Sequence, residues 1–361
     1  MTDLQKLKIC FLAGTLGQGG AERQLFYVLE ALKKAGSRVH LLCLTRGEFW
    51  EEPIRRLGVP ITWVGQASSP AVRLYRIMRE VRAVSPDVLQ SQHTYTNIYV
   101  SIVGRLAGLR EIGAIRGDPT KRDGSKIVNR YQLLAPRFIV ANSMRAILKG
   151  TELGIHTDQS HFLPNVVDTS HFAPEKRPEG EEIRLLTVSR LIQSKRLDKF
   201  IQLVARLREE TSLRARATIV GSGPMRTSLE NMAGSLNLTP DAVEFKGEVA
   251  DPVGEYRKAD IFVFFSEGEG MPNVVLEAGA SGLPVVSSNV GGIPEMILEG
   301  ETGFLLDSDD ENGFFQATMR LILNEALRKQ MGYRARHHIE LNYGKDKLPG
   351  RLERLYGRVL E

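Results

Sequence analysis

Residues 266–286 read SEGEGMPNVVLEAGASGLPVV, and two carboxylates stand out in them, Glu269 and Glu277, eight positions apart. The run just before, IFVFF at residues 261–265, has the unbroken hydrophobicity of a strand covered on both faces, as in a parallel sheet. A Gly/Pro-rich turn follows, and Pro272 and Asn273 open a helix expected over residues 273–280. Glu269 then lies in the loop at the carboxyl end of a strand and Glu277 about a turn into the helix, with the helix amino terminus between them. Free amides at the positive end of a helix dipole suit a phosphate, whereas an ionised carboxylate accepts hydrogen bonds from hydroxyls. Phosphate beside hydroxyl-binding carboxylates describes a nucleotide sugar. An isolated Glu pair would instead read as one solvated loop acid and one exposed helix acid. Here Gly268, Gly270, Gly279, Gly282 and Pro284 set the acids in an otherwise apolar segment.

Working outward, the same alternation of strand and helix recurs twice. Residues 8–13, 38–44, 61–64, 88–91, 112–116 and 138–141 read as strands of a first domain, with helical stretches between them. After a polar, Pro-containing stretch at residues 168–182, expected to be a linker, strands are expected at 184–188, 215–220, 243–245, 261–265 and 285–288. The expected class is α/β: two doubly wound, Rossmann-like domains facing each other across a cleft, over residues 1–170 and 171–344. Residues 345–361 form a last helix.

Other candidate residues fall at strand ends. The Gly-rich turn GTLGQGG at residues 14–20 suggests a dinucleotide site, but the second strand ends LCLTR (residues 42–46) and lacks the acid that a nicotinamide or flavin ribose needs. The alternative is that these glycines only allow tight strand-to-helix packing. His93 follows the strand at 88–91, at the kind of place where open α/β sheets bind ligands, although a lone histidine there is equally compatible with a packing role. Arg190 and Lys195 flank a strand-to-helix loop. They read either as a solvated pair or as a fork and a point charge able to neutralise a diphosphate. Gly221 opens another such turn, GSGP. Asp307, Asp309 and Asp310 precede a helix expected at 312–323 and read as capping acids, not metal ligands.

The long context EGMPNVVLEAGASGLPVV resembles the retaining nucleotide-sugar glycosyltransferases of the large GT-B, family 4-like group, whose hallmark is a Glu, seven residues and a Glu. The resemblance implies that Glu269 contacts the transferred sugar and Glu277 the ribose. It also implies that Arg190 and Lys195 hold the donor diphosphate, that Gly221, Gly270, Met271, Pro272 and Asn273 line the donor site, and that His93 lies near the reaction centre. Gly19 and Gly20, in a QGGAE-like loop, would approach the donor phosphate or the acceptor, and the terminal helix would cross back onto the first domain. It further implies retention at the anomeric carbon, the partners being a nucleotide sugar and a glycan or lipid-linked acceptor; with the aspartates read as caps and no other Cys, His or acid cluster at metal-ligand spacing, a reaction without metal or cofactor is expected. A nucleotide-sugar epimerase, a phosphorylase or a non-catalytic sugar-nucleotide-binding subunit are the rival readings. One departure stands out: residues 164–168 read PNVVD where the family commonly has PNGVD, so the hinge backbone is expected to differ.

Composition bounds the rest. The 361 residues suffice for two cores, and no apolar run approaches membrane-spanning length. The amino terminus lacks a secretory pattern, so a cytosolic location is expected, with Cys10 and Cys43 as buried thiols. Residues 1–170 hold 23 Lys and Arg against 14 Asp and Glu, a net +9, whereas residues 171–361 hold 25 against 29, a net −4. Arg73, Arg76, Arg79 and Arg82 recur every third residue. They form either an ordinary surface helix or a basic face for an anionic membrane at which the protein would be peripheral. Nucleic acid is not expected as a partner, because no aromatic residues interleave with these charges.

Overall fold

The computed structural model describes residues 4–66, 69–119, 126–175, 182–210, 215–238 and 242–361, with the side chains of 126–128 left aside. The linker expected at 168–182 lies partly outside them. Two compact units emerge, Met1–Val166 with Lys345–Glu361, and Val167–Gly344.

In the first unit, strands β1 (Lys8–Ala13), β2 (Arg38–Cys43), β3 (Ile61–Trp63), β4 (Val88–Ser91), β5 (Arg110–Ile115), β6 (Phe138–Ala141) and β7 (Ser160–Phe162) form one parallel sheet in the order β3-β2-β1-β4-β5-β6-β7. Alternation decides the two faces of β1. Ile9 and Phe11 join one apolar cluster while Cys10 and Leu12 join another, all fully buried. Helix α1 (Gly20–Lys34) covers the first face with Leu25, Leu29 and Leu32. Helices α2 (Glu51–Arg56), α3 (Pro70–Val84), α4 (Asn97–Ala107), α5 (Lys126–Leu134) and α6 (Met144–Glu152) complete the alternation up to β7. Burial pushes the Cys10 thiol up to about 12, so it is an inert part of this packing.

In the second unit, β8 (Ile183–Val188), β9 (Ala215–Val220), β10 (Val243–Gly247), β11 (Ile261–Phe264), β12 (Val285–Ser288) and β13 (Gly303–Leu306) pair in the order β10-β9-β8-β11-β12-β13, again all parallel. Between these strands run α7 (Leu197–Glu210), α8 (Arg226–Ser235), α9 (Val253–Lys258) and α10 (Asn273–Ala280), and α11 (Glu311–Leu323) and α12 (Glu325–Tyr343) follow β13. The glycines around α10 make room for α12. A Cβ on Gly279 would stand 2.7 Å from Ile339 Cγ1, and Gly282 has φ +75°.

The last helix, α13 (Leu348–Leu360), starts after a single 3-10 turn at Lys345–Lys347, three residues later than its sequence suggests. Leu348, Leu352, Leu355, Tyr356 and Val359 are buried in the apolar cluster of the first unit. Tyr356 donates to Gln90 Oε1 over 2.7 Å inside that cluster. At the expected hinge, Val166 keeps an ordinary backbone. Among the described residues only Ser85, Arg196 and Asn237 are non-glycines at positive φ. The side-chain amide of Gln24 satisfies both backbone groups of Val166, at 2.7 and 2.9 Å.

Candidate active site

Each sheet reverses its strand order once, between β8 and β11 in the second unit and between β1 and β4 in the first. Carboxyl-end loops on either side of such a reversal diverge and leave a crevice.

In the second unit, the loop after β8 carries Arg190 and Lys195, and the loop after β11 carries Glu269. Lys195 Nζ makes an ion pair with Glu269 Oε1, both side chains being largely buried, and lies 5.3 Å from the Phe264 ring centroid. Ser266 Oγ donates to the same carboxylate oxygen over 2.8 Å, and Glu267 N–H donates to Ser194 O over 2.9 Å, so the two loops are stitched together. Arg190 is exposed beside them. Helix α10 begins at Asn273, after Pro272 and with no side-chain cap, which leaves the first-turn region to backbone partners. Gly270 and Met271 are buried, and the Met271 side chain belongs to the core. Gly221 has φ +135°, and a Cβ there would stand 1.9 Å from Ser189 O, so the turn after β9 backs directly onto the loop that carries Arg190.

Glu277 is only 3% exposed, and its Oε2 accepts from Tyr256 Oη over 3.0 Å. Tyr256 was not legible as a site residue, because it sits 21 positions away on α9. The same holds for Gly291. It has φ +56°, and a Cβ on it would stand 2.0 Å from Glu269 O, so this glycine lets the turn after β12 support the Glu269 loop. The only early signal was the pair Gly291-Gly292 after a strand.

In the first unit, His93 is buried and both its ring nitrogens are engaged. Nδ1 accepts from Gly14 N–H over 3.1 Å, which leaves the proton on Nε2, where Glu22 Oε1 receives it at 3.0 Å. Tyr95 stacks on the ring with centroids 5.2 Å apart. Gly19 is the N-cap of α1 and Gly20 its first residue. A Cβ on Gly19 would stand 2.2 Å from Glu22 Oε2, so any side chain here would require the end of the Glu22 side chain to shift. Glu22, the acid of the QGGAE run, is a site residue that the motif alone did not single out.

Two expectations change in detail. Of the four spaced arginines, Arg73 turns inward, with Nη1 3.1 Å from Tyr99 Oη, Arg76 donates to Gln66 Oε1, and Arg79 pairs with Glu80 at 2.7 Å. Of these partners only Glu80 carries an opposite charge, so one of the four arginines is offset. The aspartates have structural work: Asp310 caps α11 through Gly313 N–H, Asp309 pairs with buried Lys199 at 2.6 Å, and Asp307 accepts from Asp309 N–H. Lys199 holds the Asp309 carboxyl below its ordinary range. Among the described residues no group of three or more His, Cys, Asp or Glu is arranged to hold a metal ion.

Comparison with known proteins agrees with this architecture. Residues 168–338 match the family model described as glycosyl transferases group 1, and residues 18–171 match that of glycosyltransferase family 4. The N-acetyl-alpha-D-glucosaminyl L-malate synthase of Bacillus anthracis is 31% identical over 182 residues, 50% of this chain and 47% of the relative, so about half that relative's length is matched. A GDP-mannose-dependent phosphatidylinositol monomannoside mannosyltransferase of Mycolicibacterium smegmatis is 29% identical over 287 residues, 77% of this chain and 71% of the relative. Among solved structures, HepE of Anabaena in complex with UDP superposes with a TM-score of 0.85 at 16% identity, covering 97% of this chain and 100% of HepE. The sucrose-phosphate synthase of Thermosynechococcus elongatus gives 0.80 at 17%, covering 98% and 99%. With both halves matched by these family models and the fold shared with these enzymes, the chain belongs to the GT-B glycosyltransferases of the family 4-like type.

Proposed function

We propose that the protein transfers a sugar from a nucleoside diphosphate sugar to a glycan or lipid-linked acceptor, with retention at the anomeric carbon and without a metal ion. The observation that carries this reading is the Lys195–Glu269 ion pair, which joins the loops on either side of the strand-order reversal of the second unit, with Arg190 in the same loop as Lys195 and α10 following the Glu269 loop. The departing diphosphate takes on charge as the glycosidic bond breaks. Arg190, Lys195 and the backbone of Gly270, Met271, Pro272 and Asn273 are assigned to it, an electrostatic task that often dominates catalysis. Gly221 lines the same site. Glu269 is assigned to hydroxyls of the transferred sugar and Glu277, oriented by Tyr256, to the ribose. In the first unit, His93 is assigned to the sugar and Gly19 and Gly20 to the phosphate or the acceptor. Support comes from the relatives: HepE has been crystallised with UDP-glucose, and the mycobacterial relative is named as GDP-mannose-dependent.

Melting the protein with a panel of nucleotide sugars tests this reading. A true donor present at about 100 times its Kd stabilises by roughly 2.7 kcal/mol. Turnover of that donor should survive excess chelator, and NMR of the product should show the anomeric configuration of the donor. A panel without any stabilising nucleotide sugar counts against the proposal, and an inverted product overturns the retention.

A further inference from the structure

Arg116 follows β5 directly, and Asn142 follows β6 directly. Because Ile115 pairs with Ala141 in the register, the two residues stand side by side at the carboxyl edge of the first sheet. Next along that edge come Gln92 and His93 after β4, and then Gly14 after β1. The Arg116 guanidinium reaches one of these neighbours: Nη2 donates to Gln92 Oε1 over 3.2 Å, and Gln92 is itself held by Nε2 donating to Ala21 O over 2.7 Å. A neutral amide orients a guanidinium without neutralising it.

Among the described residues no carboxylate forms an ion pair with Arg116, and the two nearest in the argument are committed elsewhere. Glu22 receives His93 Nε2, and Asp118 pairs with Lys149. Arg116 Nε is buried and lacks any hydrogen-bond partner, and so does the oxygen Oδ1 of Asn142, a residue only 4% exposed. Desolvation brings the Arg116 guanidinium down to about 10, with Glu22 pulling the other way, which agrees with a cation short of a counter-charge. A desolvated charge and two orphaned polar atoms at one sheet edge are costly unless a ligand completes them. What completes an arginine fork is a planar or tetrahedral anion accepting more than one hydrogen bond. The free Asn142 oxygen asks for a donor, such as a hydroxyl next to that anion.

We propose that Arg116 and Asn142 form a subsite in the first unit for an acidic group, a carboxylate or a phosphate monoester, on the molecule that receives the sugar. Anion binding stands on the geometry alone, while the assignment to the sugar's recipient rests on the transfer reading above. The donor diphosphate is the less suitable occupant, because Arg190 and Lys195 are already assigned to it.

The test uses the full chain carrying R190A and K195A, so that anions do not report on the donor site. Glucose 6-phosphate, glucuronate and glucose are titrated by calorimetry. One of the two acidic sugars should bind saturably with one site per chain and glucose should not, and which one binds tells phosphate from carboxylate. Arg116→Gln should weaken that binding about tenfold or more, the scale of one charged hydrogen bond. Asn142→Asp places a negative charge at the strand end next to Arg116, so it should abolish anion binding. UDP binding to the chain with Arg190 and Lys195 intact should be unchanged by Arg116→Gln. Three results overturn the subsite: neither acid binds, Arg116→Gln binds as tightly as its parent, or Asn142→Asp retains anion binding. Loss of UDP binding in Arg116→Gln would overturn the assignment to the recipient. Absence of both UDP and GDP binding to the unsubstituted chain, with Arg116-dependent anion binding intact, would sink the transfer reading and leave the anion subsite standing.

Discussion

Lys195 and Glu269 are each other's ion-pair partner, so a diphosphate that engages the Lys195 ammonium would share it with that carboxylate. The Arg190 guanidinium is exposed and able to meet the second phosphate directly. Lys195→Ala and Arg190→Ala should therefore each raise the barrier read from kcat/KM for donor turnover by about 2–4 kcal/mol, with little change in melting temperature for the exposed Arg190 and a lower one for Lys195, whose loss leaves Glu269 unpaired. Wild-type rates in either variant would remove that residue from the diphosphate. Tyr256→Phe leaves Glu277 Oε2 without its buried donor. It should cost about 1–3 kcal/mol of stability and raise KM for the donor more than it lowers kcat, whereas an unchanged KM would make the tyrosine merely structural. At this scale the sequence showed the residues that share a short motif, Glu269 and Glu277, and the cations at strand ends. Tyr256, Glu22 and Gly291 act through contacts that only the folded chain creates, and local spacing carries no trace of them.

At the scale of elements, the strands with unbroken apolar runs were legible to within a residue or two. The three-residue β7 and the glycine-led β13 were not, since neither is long enough to show a period. Helix α12 was missed because only Met331, Gly332, Ala335, Ile339 and Tyr343 are buried along its 19 residues, a stripe too narrow to stand out among its charges. Gly291→Ala pushes a Cβ to 2.0 Å from the Glu269 carbonyl at a positive φ. Nucleotide-sugar binding should weaken measurably in a titration even though residue 291 bears no catalytic group, and unaltered binding would show that the Glu269 loop tolerates the shift. On β7, burial and then Arg358 of α13 bring His161 from its ordinary 6.5 down to about 4. The unfolded chain therefore takes up a proton between those values that the folded chain refuses. His161 supports folding fully above pH 6.5, and stability is lost as pH falls toward 4. The loss due to this residue should be of the order of 2–3 kcal/mol, and urea melts of His161→Phe at pH 7 and pH 4.5 should show a smaller drop than the parent.

For the molecule as a whole, the two parallel sheets, their strand-order reversals and the contrast between a basic first half and an acidic second half organise the functional reading. No helix among the described residues is long and apolar enough to cross a membrane. With Arg79 paired to Glu80 and the remaining exposed charges screened by salt, attraction to anionic vesicles should be modest and vanish near physiological salt, where the Debye length is about 8 Å. Strong sedimentation with anionic vesicles at that salt would restore the basic face as a membrane surface. The central claim is that the second unit binds a nucleoside diphosphate sugar through Arg190 and Lys195. Its most direct test is calorimetric titration of UDP-glucose and GDP-mannose into the wild-type chain and into the R190A/K195A chain, both with chelator present. Saturable binding of at least one nucleotide sugar to the wild type, weakened about a hundredfold or more in the double variant, is the result predicted. Equal affinity in the two proteins, or no binding of either nucleotide sugar to the wild type, would contradict it.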